Sequence, residues 1–303
     1  MEGKDKRLLL ILGPCSVHDM DAVYDYATKI STLQKKIPEV YMVMRMYFEK
    51  PRTRKGWSGF LSDPALDGRM HLDRGILCAR ELLLKINALG LPCATEMLSV
   101  IFPQYIDDLI SAVAIGARTS ASQVHRELAS GLSAPVFFKN DCSGSFTTAI
   151  NSAVSASEPK VFLGVDADGK ASAVHTQGNP TCYVMLRGSY TSGPNYTKEH
   201  LDRVQVALKK EEGMETHGIV VDCNHGNSGK DALRQLDVAK YLRGLRHPIV
   251  RGIMLESFLE FGRQDTPVVY GQSITDPCLS WEHTKACLMD LKKIDIYNIT
   301  VDD

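Results

Sequence analysis

Eight short, nearly unbroken apolar runs recur along this 303-residue chain, and amphipathic stretches separate them. The runs are Leu8–Leu12, Val40–Met46, Leu91–Ala94, Ala112–Ile115, Pro135–Phe138, Cys182–Leu186, Gly218–Val221 and Ile249–Leu255. A strand that is apolar at every position is buried on both faces, which suits a parallel sheet covered by helices. The intervening stretches read as helices. Asp19 or Asp21 can cap one that carries Val23, Tyr26, Ala27, Ile30 and Leu33 on one face. A second places Ile76, Leu77, Leu82, Leu83, Ile86 and Leu89 on a stripe that ends at Gly90. Segments 229–242 and 281–291 give two more. Eight such alternations predict an α/β fold of the (β/α)8 TIM-barrel type, with an open doubly wound sheet as the alternative. The length suits one barrel of residues 1–303 as well as it suits two ordinary domains. One insertion breaks the pattern: residues 161–175 read as a β-hairpin turning at Asp166–Gly169, ahead of the sixth barrel strand.

Active sites of such barrels sit at the C-terminal ends of the strands, so the polar residue closing each run is informative. Arg45 closes the second run, with Lys50 and Arg52 just after; Arg118, Lys139 and Arg187 follow the fourth, fifth and sixth. Each alone reads as a solvated loop residue. Six cations at one rim, in a chain with 35 basic and 36 acidic residues, instead imply a ligand carrying several phosphate or carboxylate charges. Cys15, His225, Glu256 and Asp276 form a second group. Thiolate, imidazole and carboxylate together suit a divalent transition metal (Mn, Fe, Co or Zn) and disfavour Mg or Ca. Taken singly, Cys15 is an inert buried thiol and His225 a loop histidine, whereas a carboxylate at the end of Ile253-Met254-Leu255 needs a partner. Cys223, two residues from His225, competes as a ligand by strand alternation.

Composition excludes several classes. A net charge of −1 leaves no basic excess for nucleic acid or an anionic membrane surface. No apolar stretch approaches the ~18 residues that span a bilayer. The Leu8–Leu12 run after Lys4, Lys6 and Arg7 is too short for a signal peptide. Eight cysteines without a CxxC pair fit a reducing compartment, so a cytoplasmic location is expected. Segment 226–230, G-N-S-G-K, looks like a phosphate-binding loop but fails its spacing, because Asn224 stands where the first Gly belongs.

The segments G-P-C-S-V-H-D (13–19), M-R-M-Y-F-E-K-P-R-T (44–53), S-Q-V-H-R-E-L-A-S-G-L-S (122–133), H-G-N-S (225–228) and Y-G-Q-S-I-T-D (270–276) closely resemble the type I 3-deoxy-D-arabino-heptulosonate 7-phosphate (DAHP) synthases. The resemblance runs from about Leu8 to Leu291. It implies a metal-dependent, aldol-like condensation of phosphoenolpyruvate with erythrose 4-phosphate, the first step of the shikimate pathway to aromatic amino acids. It implies that Cys15, His225, Glu256 and Asp276 hold the metal, and that Arg45, Lys50, Arg118, Lys139 and Arg187 bind phosphoenolpyruvate. Lys50-Pro51-Arg52-Thr53 would take the erythrose phosphate, and Glu96 would stand close to the phosphoenolpyruvate. Lys50, Glu96 and His225 are the implied catalytic groups. Pro103, Gln104, Leu132, Ser133, Phe162 and Gly164 match an aromatic amino-acid inhibitor pocket, Gly164 leaning toward tyrosine over phenylalanine. A homodimer or homotetramer is implied as well.

This chain also departs from the family pattern. Asn224 replaces a Ser, Thr95 a small residue, and 141–143 reads Asp-Cys-Ser; the hairpin turn carries Asp166-Ala167-Asp168. The chain starts at the first barrel strand, where homologues carry a few dozen more residues that serve the subunit interface and the inhibitor site, which puts feedback control in question. Two alternatives follow: a related 3-deoxy-sugar-phosphate synthase with another aldose, against which the K-P-R-T loop argues, and a catalytically impaired or regulatory paralogue that binds phosphoenolpyruvate.

Overall fold

The computed structural model describes residues 1–2, 4–166 and 168–291. Gly3, Ala167 of the hairpin turn and residues 292–303 of the expected domain lie outside this description. Eight parallel strands close into a barrel: β1 (Leu8–Gly13), β2 (Val40–Arg45), β3 (Cys93–Glu96), β4 (Ala112–Ile115), β5 (Val136–Lys139), β8 (Cys182–Leu186), β9 (Ile219–Asp222) and β10 (Val250–Glu256). The ring is closed by β1, which pairs with β2 on one side and β10 on the other. The antiparallel hairpin β6 (Val161–Val165) and β7 (Ala171–His175) precedes β8, as the sequence indicates, and stands as its own two-stranded sheet. Among the described residues, no helix is long and apolar enough to cross a membrane.

The helices α1 (Met20–Gln34), α2 (Leu72–Ala88), α3 (Pro103–Ile106), α4 (Gln123–Gly131), α5 (Thr147–Ser157), α6 (Lys198–Leu208), α7 (Arg234–Leu245) and α8 (Trp281–Leu291) lie on the connections. Asp19, not Asp21, caps α1: its Oδ1 accepts from the Ala22 N–H at 3.0 Å, and all five expected apolar residues of the helix are buried. Gly90 follows the end of α2 with φ +74°, the left-handed conformation that ends a helix without a Cβ penalty. Two helix expectations are corrected. Leu77 is 71% exposed, because α2 turns Ala79, Leu82, Leu83 and Ile86 inward and leaves Leu77 on its outer side. The helix expected over 229–242 begins only at Arg234, since Gly229 and Lys230 both have φ +65° and form a turn.

Alternation along the strands builds two cores. Leu10, Leu12, Met42, Met44, Val113, Phe138, Val221 and Leu255 pack outward beneath the helices. Ile11, Val43, Ala94, Phe137, Met185, Val220 and Met254 fill the barrel interior. Both faces are therefore dry, and this is why the runs are apolar at every position. Two residues further along six of the eight strands the inward set turns polar: Arg45 after Val43, Glu96 after Ala94, Lys139 after Phe137, Arg187 after Met185, Asp222 after Val220, and Glu256 after Met254. The period of two aims this whole layer into the mouth. It also explains why β3 ends two residues later than expected. Thr95 and Glu96 are polar but still paired, with Val113 and Ala114.

Gly13 makes the closure possible. It pairs with Glu256 of β10, and a Cβ on it would lie 2.6 Å from the Arg45 carbonyl oxygen of β2. Gly13→Ala is expected to lower stability by about 1–3 kcal/mol through overpacking, seen as an earlier denaturation midpoint. An unchanged midpoint would show that β1 and β2 can separate freely.

Candidate active site

The polar layer opens into a cleft of about 540 Å³. Seven Lys or Arg residues line it against two carboxylates: Arg45, Lys50, Arg52, Arg118, Lys139, Arg187 and Lys230 face Glu96 and Asp276. The six cations expected from the strand ends thus meet in one place. They are not all without partners. Arg45 is 1% exposed, donates from Nη2 to Glu256 Oε1 at 2.8 Å and from Nη1 to the Pro14 carbonyl, and its guanidinium carbon lies 3.6 Å from the centre of the Tyr47 ring. Lys139 Nζ is 3.4 Å from Asp222 and 3.7 Å from Glu96. Burial disfavours its charge, but Tyr47, Asp222 and Glu96 outweigh that and raise its pKa to about 12. Lys50 Nζ donates to both the sulfur and the carbonyl of Cys15, each at 3.1 Å. Among the described residues, Arg52, Arg118 and Arg187 have no carboxylate within 4.0 Å. Arg52 donates to the Trp57 carbonyl at 2.7 Å and Arg118 to the Thr53 hydroxyl at 3.2 Å, so the loop carrying Pro51, Arg52 and Thr53 is tied across the mouth. These three meet an anionic ligand with no carboxylate competing for them, whereas Arg45 and Lys139 line the same cleft with their own carboxylates attached.

One end of the cleft gathers the candidate metal donors. One ligand atom each from Cys15, Glu256 and Asp276 lies within 4.8 Å of the other two. His225 adjoins this trio: its Nε2 is 3.7 Å from Glu256 Oε1, and its Nδ1 is 2.8 Å from Asp222 Oδ2. A carboxylate on the far nitrogen is how ligating imidazoles are oriented. His225 has φ +54°, a left-handed backbone that is costly for a residue with a Cβ. The same departure from strand geometry disposes of Cys223. Its thiol packs in the outer core with Val221, where alternation past the inward-facing Asp222 puts it, and the left-handed turn at His225 is what breaks that alternation.

The thiol and the carboxylates are shifted in opposite directions from their ordinary ranges. Burial raises the Cys15 pKa, and the nearby Glu256 adds to it. Burial alone would raise Glu256, yet Arg45 and His225 hold it below the ordinary carboxylate range. Asp222 follows the same logic, with His225 and Lys139 overriding burial and holding it well below. Glu96 Oε1 is buried without a hydrogen-bond partner among the described residues. It sits where Gly116 leaves room, since a Cβ there would approach it to 2.7 Å.

Several groups that the sequence did not assign to the site complete it. Gln235 on α7 accepts from the Glu256 N–H at 2.8 Å and donates to its carbonyl at 3.1 Å. Asn224 donates to Glu256 Oε2 at 2.7 Å. Lys230 donates to Asp276 Oδ1 at 2.8 Å. Tyr190 lies 5.4 Å from the Arg187 guanidinium. A signal existed for two of them: Gln235 is a polar residue on the buried face of its helix, and Lys230 closes the G-N-S-G-K stretch. The residues matched to an inhibitor pocket are only partly brought together. Leu132 and Ser133 line a separate cavity of about 390 Å³. Pro103 and Gln104 on α3, and Phe162 and Gly164 on β6, stand outside its lining.

Asp222→Asn tests the buried charge network. The low native pKa of Asp222 favours the folded state above the ordinary carboxylate pKa, and that contribution fades as pH falls through about 4 toward the depressed native value. The variant is expected to lose about 3 kcal/mol near neutral pH, with the gap to the parent narrowing in acid. Denaturant titrations at several pH values read this directly, and a gap that is constant with pH would count against it.

The residues 1–289 match the model of the DAHP synthetase I family. The chain is 44% identical over 300 residues to the Phe-sensitive phospho-2-dehydro-3-deoxyheptonate aldolase of Escherichia coli K12, covering 96% of this chain and 84% of that one. It is 43% identical over 301 residues to the Tyr-sensitive enzyme of Salmonella typhimurium, covering 96% and 83%. The solved phospho-2-dehydro-3-deoxyheptonate aldolase of Francisella tularensis superposes with a TM-score of 0.93 at 44% identity, over 96% of this chain and 86% of that one. With the family model spanning nearly all of the barrel and the relatives matched over most of their length, the chain belongs to the DAHP synthetase I family.

Proposed function

We propose that this cleft joins phosphoenolpyruvate to D-erythrose 4-phosphate, giving 3-deoxy-D-arabino-heptulosonate 7-phosphate and inorganic phosphate, the first step of aromatic amino-acid biosynthesis. The observation that carries this reading is the meeting, in one cleft, of a basic rim with a thiol–carboxylate cluster. The substrates bring two phosphates and a carboxylate, and the rim is cationic in proportion. Cys15, Glu256 and Asp276, with His225 beside them, would hold a divalent transition ion; sulfur, imidazole and carboxylate donors suit Mn, Fe, Co or Zn. When bound, such an ion supplies Lewis-acid polarisation of the aldehyde oxygen.

The chain's own residues do the rest. Arg118, Arg187, Lys139 and Arg45 orient the phosphoenolpyruvate anions, while the Lys50–Thr53 loop takes the phosphate of the aldose. Fixing both substrates removes much of the entropy of their encounter. Lys50 Nζ, beside the Cys15 sulfur, is the group we assign to deliver a proton to the alkoxide that forms. Glu96 is buried next to Lys139, and its carboxylate opposes the positive character that grows at phosphoenolpyruvate C2. Water then adds at C2, and phosphate leaves. We place the enzyme in the cytoplasm as a homodimer or homotetramer.

Phosphate release from the two substrates is expected to stop in excess chelator and to return on addition of Mn²⁺, with Cys15→Ser failing to recover. Full turnover in the chelator would refute metal dependence. For regulation we propose an aromatic amino acid acting at the cavity lined by Leu132 and Ser133, with Gly164 on the hairpin outside that lining bearing on the preference. A Cβ on residue 164 would crowd Val174 at 2.6 Å, so glycine leaves the more open surface there. Tyrosine is expected to inhibit at lower concentration than phenylalanine. Insensitivity to every aromatic amino acid would eliminate this site.

A further inference from the structure

The stretch between His225 and Lys230 resembled a phosphate loop in sequence and failed its spacing, yet the fold spends several of its hydrogen bonds on holding it in one shape. The Lys230 N–H donates to the His225 carbonyl at 3.0 Å, so the turn closes on itself. Both of its end residues hold left-handed backbone, at φ +54° and +65°. Strain of this kind persists only where the surroundings over-determine it. The Ser228 hydroxyl accepts from the Lys230 N–H at 3.1 Å and donates to Asn224 Oδ1 at 2.8 Å. Asn224 then reaches Glu256 Oε2, and Lys230 Nζ reaches Asp276 Oδ1.

One turn therefore touches three of the four expected donors: it supplies His225, braces Glu256 through Asn224, and holds Asp276 through Lys230. Each donor of the trio also has its own cation. Lys50 lies on Cys15, Arg45 on Glu256 and Lys230 on Asp276. Lys50 and Arg45 are already engaged with substrate in the reading above. Lys230 has no such assignment.

We infer that Lys230 is a positioning residue for metal binding: with Asn224 and Ser228 it makes the His225–Lys230 turn a clamp that holds Asp276 and Glu256 in ligand geometry. The inference rests on the metal-dependent reading of the cleft. The physical reason is that Asp276 comes from a long connection after β10 rather than from a strand, so nothing in the sheet itself fixes its rotamer. A salt bridge at 2.8 Å to a rigid turn fixes it, while also offsetting the repulsion of neighbouring carboxylates.

The test uses the full chain and Mn²⁺ as probe. Lys230→Met keeps the length of the side chain and removes its charge; Lys230 is 43% exposed at the side chain, so the fold should accept methionine. Competition against a chelator is expected to show Mn²⁺ affinity reduced by roughly 10- to 100-fold, with the metal-free melting temperature unchanged. Lys230→Arg is expected to restore most of the affinity. Parental Mn²⁺ affinity in Lys230→Met would overturn the inference and leave the reaction standing. A loss of metal-free stability that tracks the loss of affinity, and that Lys230→Arg does not rescue, would make the role structural and overturn it as well. If the parent protein releases phosphate without binding Mn²⁺, the metal reading itself fails, and the assignment of Lys230 falls with it.

Discussion

The pairing of Arg45 with Glu256 is the constraint on which the active-site end of the barrel depends. Both side chains are essentially without exposure, and they meet at 2.8 Å from strands that flank β1. Between them runs Gly13, whose missing Cβ lets the Arg45 backbone come close. A buried ion pair of this kind is a poor source of net stability, because desolvating two charges cancels most of their attraction. Its value lies in what it fixes. Glu256 is held by Arg45 and Asn224 at its two oxygens and by Gln235 at its backbone, so the carboxylate has one orientation.

Around this pair the site follows a single electrostatic rule: each buried acidic group is placed against a cation or a strong donor. Asp222 lies between Lys139 and His225, Asp276 against Lys230, and the Cys15 sulfur against Lys50. The arrangement lets carboxylates remain ionised in a dry setting where burial alone would protonate them. It also divides the basic residues into two sets. One neutralises the floor. The other, made of Arg52, Arg118 and Arg187, bonds chiefly to hydroxyl or carbonyl oxygens and keeps its charge available at the mouth.

The departures from the family pattern acquire physical meaning in this setting. Asn224 reaches Glu256 and is braced by Ser228, a span suited to the longer amide side chain. Asp141 gathers the Ser143 and Ser145 amides and the Thr148 hydroxyl into a compact turn beside the cleft. Thr95 buries a hydroxyl without a partner among the described residues, and nothing in the structure explains the choice.

The barrel was legible because its strands are dry on both sides, which leaves a signal in every residue of the run. The cations and donors at the strand ends were legible because a period of two carries the inward face past the last apolar residue, from Val43 to Arg45 and from Met254 to Glu256. Sequence alone thus determined the architecture, the sign of the charge at the mouth and the chemical type of the donor set. Only the tertiary structure decided which cation neutralises which anion, that Cys223 turns away while His225 turns in, and that Gln235 reaches Glu256 and Lys230 reaches Asp276. Those choices rest on distances of a few ångströms between segments up to 211 residues apart, and hydropathy along a chain holds no record of which distant groups will touch.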